Sequence, residues 1–148
     1  METAPAIDGA ALRMARERAG LSQNELARRA SVAGGQRISR WERGEARPRS
    51  PRILHDVAAA LGVTPHSLLL PPENGPNLRW LRYAVGLSRA ELATAAHTSE
   101  RTIRRWEADG LDGPSPRTVR ILADVLVSSD DDVRRALSPR RATSGVAR

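Results

Sequence analysis

Apolar positions recur along this chain at helical spacing in short blocks, and the blocks come twice. Leu26, Ala27 and Ala30 share one face of a helix, as do Leu92, Ala93 and Ala96. Leu54, Val57, Ala58 and Leu61 form a second stripe, matched by Val119, Leu122, Ala123 and Leu126. The punctuation between stripes agrees. Gly20 and Gly86 fall where a helix ends and a left-handed residue is cheap only for glycine. Ser22 with Glu25, and Ser88 with Glu91, make S-x-x-E capping boxes that open a second helix. Ser50-Pro51 and Ser115-Pro116 pair an N-cap with an N1 proline and open a fourth. A short fifth helix fits residues 64–69. Its counterpart runs over 129–137, with three aspartates near its N-terminus, where the helix dipole favours acid.

The repeat organises the chain. Residues 19–27, AGLSQNELA, return at 85–93 as VGLSRAELA, a shift of 66. ISRWE at 38–42 returns as IRRWE at 103–107, and SPR at 50–52 returns at 115–117, both shifted by 65. One residue is therefore gained or lost between Ala33 and Ile38, where a turn meets the third helix. The expected layout is an all-α chain of two tandem domains with four to five helices each. The first covers residues 8–70, the second 77–137, and a proline-rich linker fills 71–76. Extended, those six residues reach roughly 20 Å, and their prolines predict a semi-stiff spacer. Residues 1–7 and 138–148 lack apolar periodicity and are expected to be a flexible N-terminus and a flexible basic tail.

Composition changes the picture mainly through charge. The 24 basic side chains, all of them arginine, outnumber 17 acids and give a net charge of +7. GC-rich coding alone accounts for such arginine use. Equally, guanidinium forks suit phosphate oxygens and guanine edges, and composition does not choose between the two. Residues 1–70 hold 11 arginines and 7 acids, whereas 71–127 hold 8 and 7, so the first half is the stronger candidate for phosphate contact. The chain has no cysteine, and His55, His66 and His97 lack ligand spacing, so neither a metal nor any other cofactor is expected. The longest apolar run falls far short of the roughly 20 residues of a membrane span. No basic, hydrophobic leader opens the sequence, so a cytoplasmic protein is expected, associated with the nucleoid if DNA is its partner. No nucleophile–base–orienter set and no phosphate-binding glycine loop is present, so no enzyme and no small-molecule ligand is expected.

The pattern L-S-Q-x-E-L-A, a turn, then I-S-R-W-E-R-G resembles the Xre/Cro family of phage-repressor-like helix-turn-helix proteins. The resemblance covers residues 12–69 and 78–137. It implies lambda-repressor-like bundles, each laying its third helix in the major groove of double-stranded DNA while the second crosses the backbone. By position, it implies DNA contact in the first unit by Gln23, Gly35, Gln36, Arg37, Ser39, Arg40 and Arg43. Arg89, Glu100, Arg101, Thr102, Arg104 and Arg105 follow in the second. Arginine can take guanine O6 and N7 with two hydrogen bonds, and glutamine adenine N6 and N7. The resemblance also implies structural ion pairs Arg16–Glu42 and Arg82–Glu107 between the first helix and the end of the third.

Two departures matter. The extra residue lies beside Gly34 and Gly35, a pair that weakens a helix start or lets the backbone approach a phosphate closely. In the second unit Glu100 holds a leading recognition position, where it accepts from cytosine N4 or repels phosphates. Trp41 and Trp106 read as core closure, since four aromatics in all make no stacking platform for single strands. The expected function is a sequence-specific transcriptional regulator, most simply a repressor. The rival reading keeps DNA binding for the first unit and makes the second a dimerisation or protein-interaction module.

Overall fold

Nine helices and one 3₁₀ turn follow one another along the residues that the computed structural model describes, 4–108 and 113–137. Unit one comprises α1 (Gly9–Arg18), α2 (Gln23–Arg29), α3 (Gly35–Glu42), α4 (Pro51–Leu61) and the 3₁₀ turn Pro65–Leu68. Unit two comprises α5 (Leu78–Ala84), α6 (Arg89–Ala95), α7 (Glu100–Ala108), α8 (Pro116–Val125) and α9 (Asp130–Leu137). Among the described residues the only β pairing is one isolated antiparallel bridge, Ile7 with Leu69. None of the described helices is long and apolar enough to cross a membrane.

Local chemistry explains where these helices start and stop. Both capping boxes are closed: Ser22 Oγ accepts from the Glu25 N–H at 3.0 Å while Glu25 accepts from the Ser22 N–H, and Ser88 with Glu91 repeats it. That satisfies two of the N–H groups every helix start leaves without a partner. Ser50 and Ser115 cap α4 and α8 ahead of their N1 prolines. Gly20 and Gly86, at φ 72° and 78°, end α1 and α5 in the left-handed region. The apolar stripes all face inward, and Leu26, Leu54, Leu92, Leu122, Trp41 and Trp106 are buried.

Two regions differ from what the sequence suggested. Residues 4–7, expected to be flexible, lie against unit one: Ala4 and Ile7 are buried, and Leu70 N–H donates to Ala6 O at 2.9 Å. Arg47 Nη1 donates to Ala4 O at 2.7 Å. These contacts cross from the chain's start to the end of unit one, where no periodicity within seven residues can reveal them. The linker does not hold the units apart either. Gly75 N–H donates to Pro72 O at 2.9 Å, closing a turn, and Trp80 Nε1 of unit two donates to Leu70 O of unit one at 3.0 Å. Helix α5 packs on α4 and the 3₁₀ turn, and buried residues of both units join in one contiguous apolar core. Residues 138–148, read as a basic tail, fall outside the described residues.

Candidate nucleic-acid interface

The third helix of each unit is held from behind by a carboxylate at its C-terminal end. In unit one that group is Glu42. Arg16 of α1 grips it with two hydrogen bonds, Nε to Oε2 at 2.6 Å and Nη2 to Oε1 at 3.1 Å, and gives its Nη1 to Leu21 O at 3.0 Å. Gln23, the first residue of α2, adds Nε2 to Glu42 Oε1 at 3.1 Å. The hydrogen bond to Glu42 raises the Arg16 pKa above its ordinary value, against the opposing effect of burial. One cluster thus ties three helices together, and charge-assisted forks of this kind are the strong, geometrically specific hydrogen bonds.

Unit two builds the same cluster with more charge. Arg82 holds Glu107 through Nε at 2.6 Å and Nη2 at 3.2 Å, with Nη1 on Leu87 O at 3.2 Å. Arg89 Nε reaches Glu107 Oε1 at 3.1 Å, and Arg79 Nε lies 3.5 Å from the same oxygen. The Arg82 and Glu107 side chains are 1% and 0% exposed, against 13% and 7% for Arg16 and Glu42.

The start of the third helix differs more. In unit two Ser99 Oγ caps α7, accepting from the Thr102 N–H at 3.1 Å, and shares a hydrogen bond of 3.0 Å with the Thr102 hydroxyl. In unit one the cap position is Gly34 at φ 83°, with no side-chain cap. Asn24 of α2 takes over the work: its Oδ1 accepts from the Gly35 N–H at 3.1 Å. A Cβ on Gly35 would stand 2.2 Å from that oxygen and 2.9 Å from Asn24 N. Gly35 is buried, and its N–H faces α2, so the close approach that the sequence allowed towards a phosphate is made towards a neighbouring helix. Gly35, which the resemblance placed among the DNA contacts, packs here against α2 with its N–H taken by Asn24.

Two bundles with paired second and third helices, repeated along one chain, are what the family comparison identifies. The family model for a helix-turn-helix domain matches residues 9–69 and again 75–137. The chain belongs to the helix-turn-helix family. Comparison with curated proteins and with solved structures finds no match. Helices α2 and α3 form the helix-turn-helix of unit one, and α6 and α7 that of unit two. The chain is therefore a DNA-binding protein of the helix-turn-helix class in two tandem copies.

Within the first helix-turn-helix, Gln36 and Arg40 are exposed, and Arg37 is half-buried. They line an open groove of about 210 Å³ with Arg47 and Arg49 from the loop after α3. Among the described residues Arg37, Arg40 and Arg49 enter no ion pair. Arg43 does: its Nε meets Glu45 Oε2 at 2.6 Å and its Nη1 meets Ser39 Oγ at 2.9 Å. The hydrogen bond to Glu45 raises the Arg43 pKa and lowers that of Glu45. The pair is exposed, and exposed pairs of this type are weak enough to yield to a phosphate. Gln23 and Arg89, placed by resemblance on the DNA backbone, turn to Glu42 and Glu107. In the second helix-turn-helix Glu100, Arg101, Arg104 and Arg105 are exposed on α7, while Thr102 serves the cap. The helix starts set the register: Glu100 corresponds to Gly35, Arg101 to Gln36 and Arg105 to Arg40.

Reading the sequence missed Asn24 and Arg79. Asn24 has no partner in sequence, and only a third-helix glycine with a neighbour where its Cβ would stand gives it a role. For Arg79 a signal existed. Its counterpart Arg13 pairs with Glu17 four residues on, at 3.3 Å, and in unit two Tyr83 stands where Glu17 would be. Without that acid, Arg79 turns inward.

Proposed function

We propose that the chain is a sequence-specific, double-stranded-DNA-binding transcriptional regulator of the Xre/Cro type, acting as a repressor by occluding a promoter in the cytoplasm. Unit one is the principal reader: α3 enters the major groove and α2 crosses the backbone. The observation that carries this reading is the groove edged by Gln36, Arg37, Arg40, Arg47 and Arg49. It brings four guanidiniums and one amide to a single face, with Ile38 buried in the core behind them. That is the donor set for guanine and adenine edges, flanked by cations for phosphates.

Unit two supports a second reading. Its α7 opens with exposed Glu100, and three of its arginines gather on Glu107. A surface so divided suits contact with a protein, whether a second copy of this chain or a partner, better than a tight hold on phosphates.

Selection of bound sequences from random DNA by the full chain, followed by titration at several salt concentrations, tests both. Arg40→Ala is expected to lower affinity for the selected site about tenfold to a hundredfold, since a bidentate base contact is worth about 1–3 kcal/mol. Arg105→Ala is expected to act less. If both leave affinity and sequence preference intact, the assignment of α3 and α7 fails. A salt dependence with a slope near zero removes the DNA reading altogether, because each phosphate contact contributes about −0.9 to the log–log slope.

A further inference from the structure

A cavity of about 670 Å³ opens where the two units meet. Pro65 and His66 of the 3₁₀ turn form one side, and Trp80, Leu81, Val85 and Leu126 of unit two form the other. Its size falls within the roughly 300–1,000 Å³ of small-molecule sites, and such sites favour the seams between domains. The imidazole of His66 meets the Trp80 indole edge-on, with ring centres 6.3 Å apart.

Val127, also on the wall, supplies an independent observation. It is 83% exposed and holds φ at 52°, in the left-handed region that a branched L-residue adopts only at a cost. Unit one closes the corresponding helix end with Gly62 at φ 70°. Ending α8 therefore calls for glycine, whereas this chain keeps a branched apolar side chain in a disfavoured conformation, facing water at the cavity.

The polar groups define the ligand further. Arg135 donates to Asp132, and the Asp132 N–H in turn takes the Ser129 hydroxyl as its acceptor. His66 Nδ1 is engaged by the Thr64 hydroxyl at 3.1 Å. The two opposite charges in the wall are matched with each other, so the site offers nothing for a charged ligand to neutralise. The apolar wall is also small beside the roughly 800 Å² per partner of a standard protein interface, which favours a small molecule over a protein chain.

We propose that the junction is a binding site for a small neutral molecule with an aromatic or branched aliphatic body and a hydrogen-bonding group. The site touches both units, so its occupant bears on the angle between them. The proposal stands apart from the reading of DNA by α3, and its test needs no DNA.

The neutral fluorescent probe N-phenyl-1-naphthylamine, titrated into the full chain, is expected to bind saturably at one per chain, with energy transfer from tryptophan. Val127→Asp, at an exposed position where aspartate tolerates the backbone better than valine, should weaken binding at least tenfold with helicity and melting temperature retained. Ala84→Leu, which fills the cavity from α5, should weaken it similarly. Met14→Asp, exposed on α1 away from the cavity, should leave it unchanged. Non-saturable binding, or an affinity that both cavity substitutions leave unaltered, overturns the proposal.

Discussion

In unit one Glu42 is shared by one arginine and one glutamine, whereas in unit two Glu107 sits among three arginines. Of the two arginines that make the difference, one is present in both units. Arg13 lies 65% exposed on Glu17, and its counterpart Arg79 is 24% exposed on Glu107. Replacement of one acid by Tyr83 redirects a surface cation into the interior. Arg89 does the same where unit one has the neutral Gln23. Unit two thus commits two more arginines to holding its third helix; both third helices keep arginines outward, and unit one adds Arg47 and Arg49 on the loop beyond α3. Residues 8–70 hold 11 arginines and residues 77–137 hold 10, and so small a difference in count does not measure the difference in the surfaces offered to a polyanion.

The deepest consequence is for stability, and Glu107→Gln set against Glu42→Gln probes it. Removing one partner of a buried ion pair leaves an uncompensated charge and costs about 3–5 kcal/mol. That range applies to Glu107, whose loss strands Arg82 at 1% exposure with two further guanidiniums close by. At Glu42 the partner Arg16 retains some contact with water, and a cost of about 1–2 kcal/mol is expected. Urea denaturation of the full chain reads both as shifts in midpoint at constant slope. Equal losses, or a larger one at Glu42, would mean that the extra arginines in unit two are not what burial makes them.

A second contrast lies at the other end of the same helix. Gly35→Ala forces a Cβ into Asn24, and overpacking of this kind costs about 1–3 kcal/mol. Asn24→Ala removes the acceptor of the Gly35 N–H and should cost about 1 kcal/mol. In the double variant the oxygen 2.2 Å away is gone, but Asn24 N still stands at 2.9 Å, so only part of the Gly35→Ala loss should return. In unit two the equivalent cap is local, and Ser99→Ala should cost about 0.5–2 kcal/mol. Thermal melting of the four variants separates the cases. Full additivity at Gly35 and Asn24 would show that the two helices do not lock there.

These contrasts also mark what the sequence disclosed. Signals confined to a few residues were legible: the capping boxes at Ser22 and Ser88, the N1 prolines, and the inward stripes of α4 and α8. The duplication disclosed the all-α architecture. What escaped depends on contacts between distant segments. Ala4 and Ile7 lie against the end of unit one, Trp80 reaches across the linker to Leu70, and Asn24 meets Gly35. For the interface, the sequence named the residues of α3 but not which of them other side chains already engage. Gln23 and Arg89 point to carboxylates because Glu42 and Glu107 end the third helix beside the start of the second. That proximity belongs to the bundle, not to the motif.

The smallest expected effect tests the part of the comparison where the units agree. Glu25 is held below the ordinary value of 4.5 by the Ser22 N–H first and the Ser22 hydroxyl second, and Glu91 is held down likewise by Ser88. A carboxyl whose pKa falls on folding stabilises the fold above its unfolded value, and that contribution is lost as pH drops through the folded one. Stability should therefore decline as pH falls below about 4.5. Both carboxylates are exposed, which keeps the effect small. Glu25→Gln and Glu91→Gln should each flatten the acid limb of a melting-temperature profile by a similar amount, and the double variant by both together. Because the two boxes share one geometry, a limb abolished by either substitution alone would show that the units differ even at the start of their second helices.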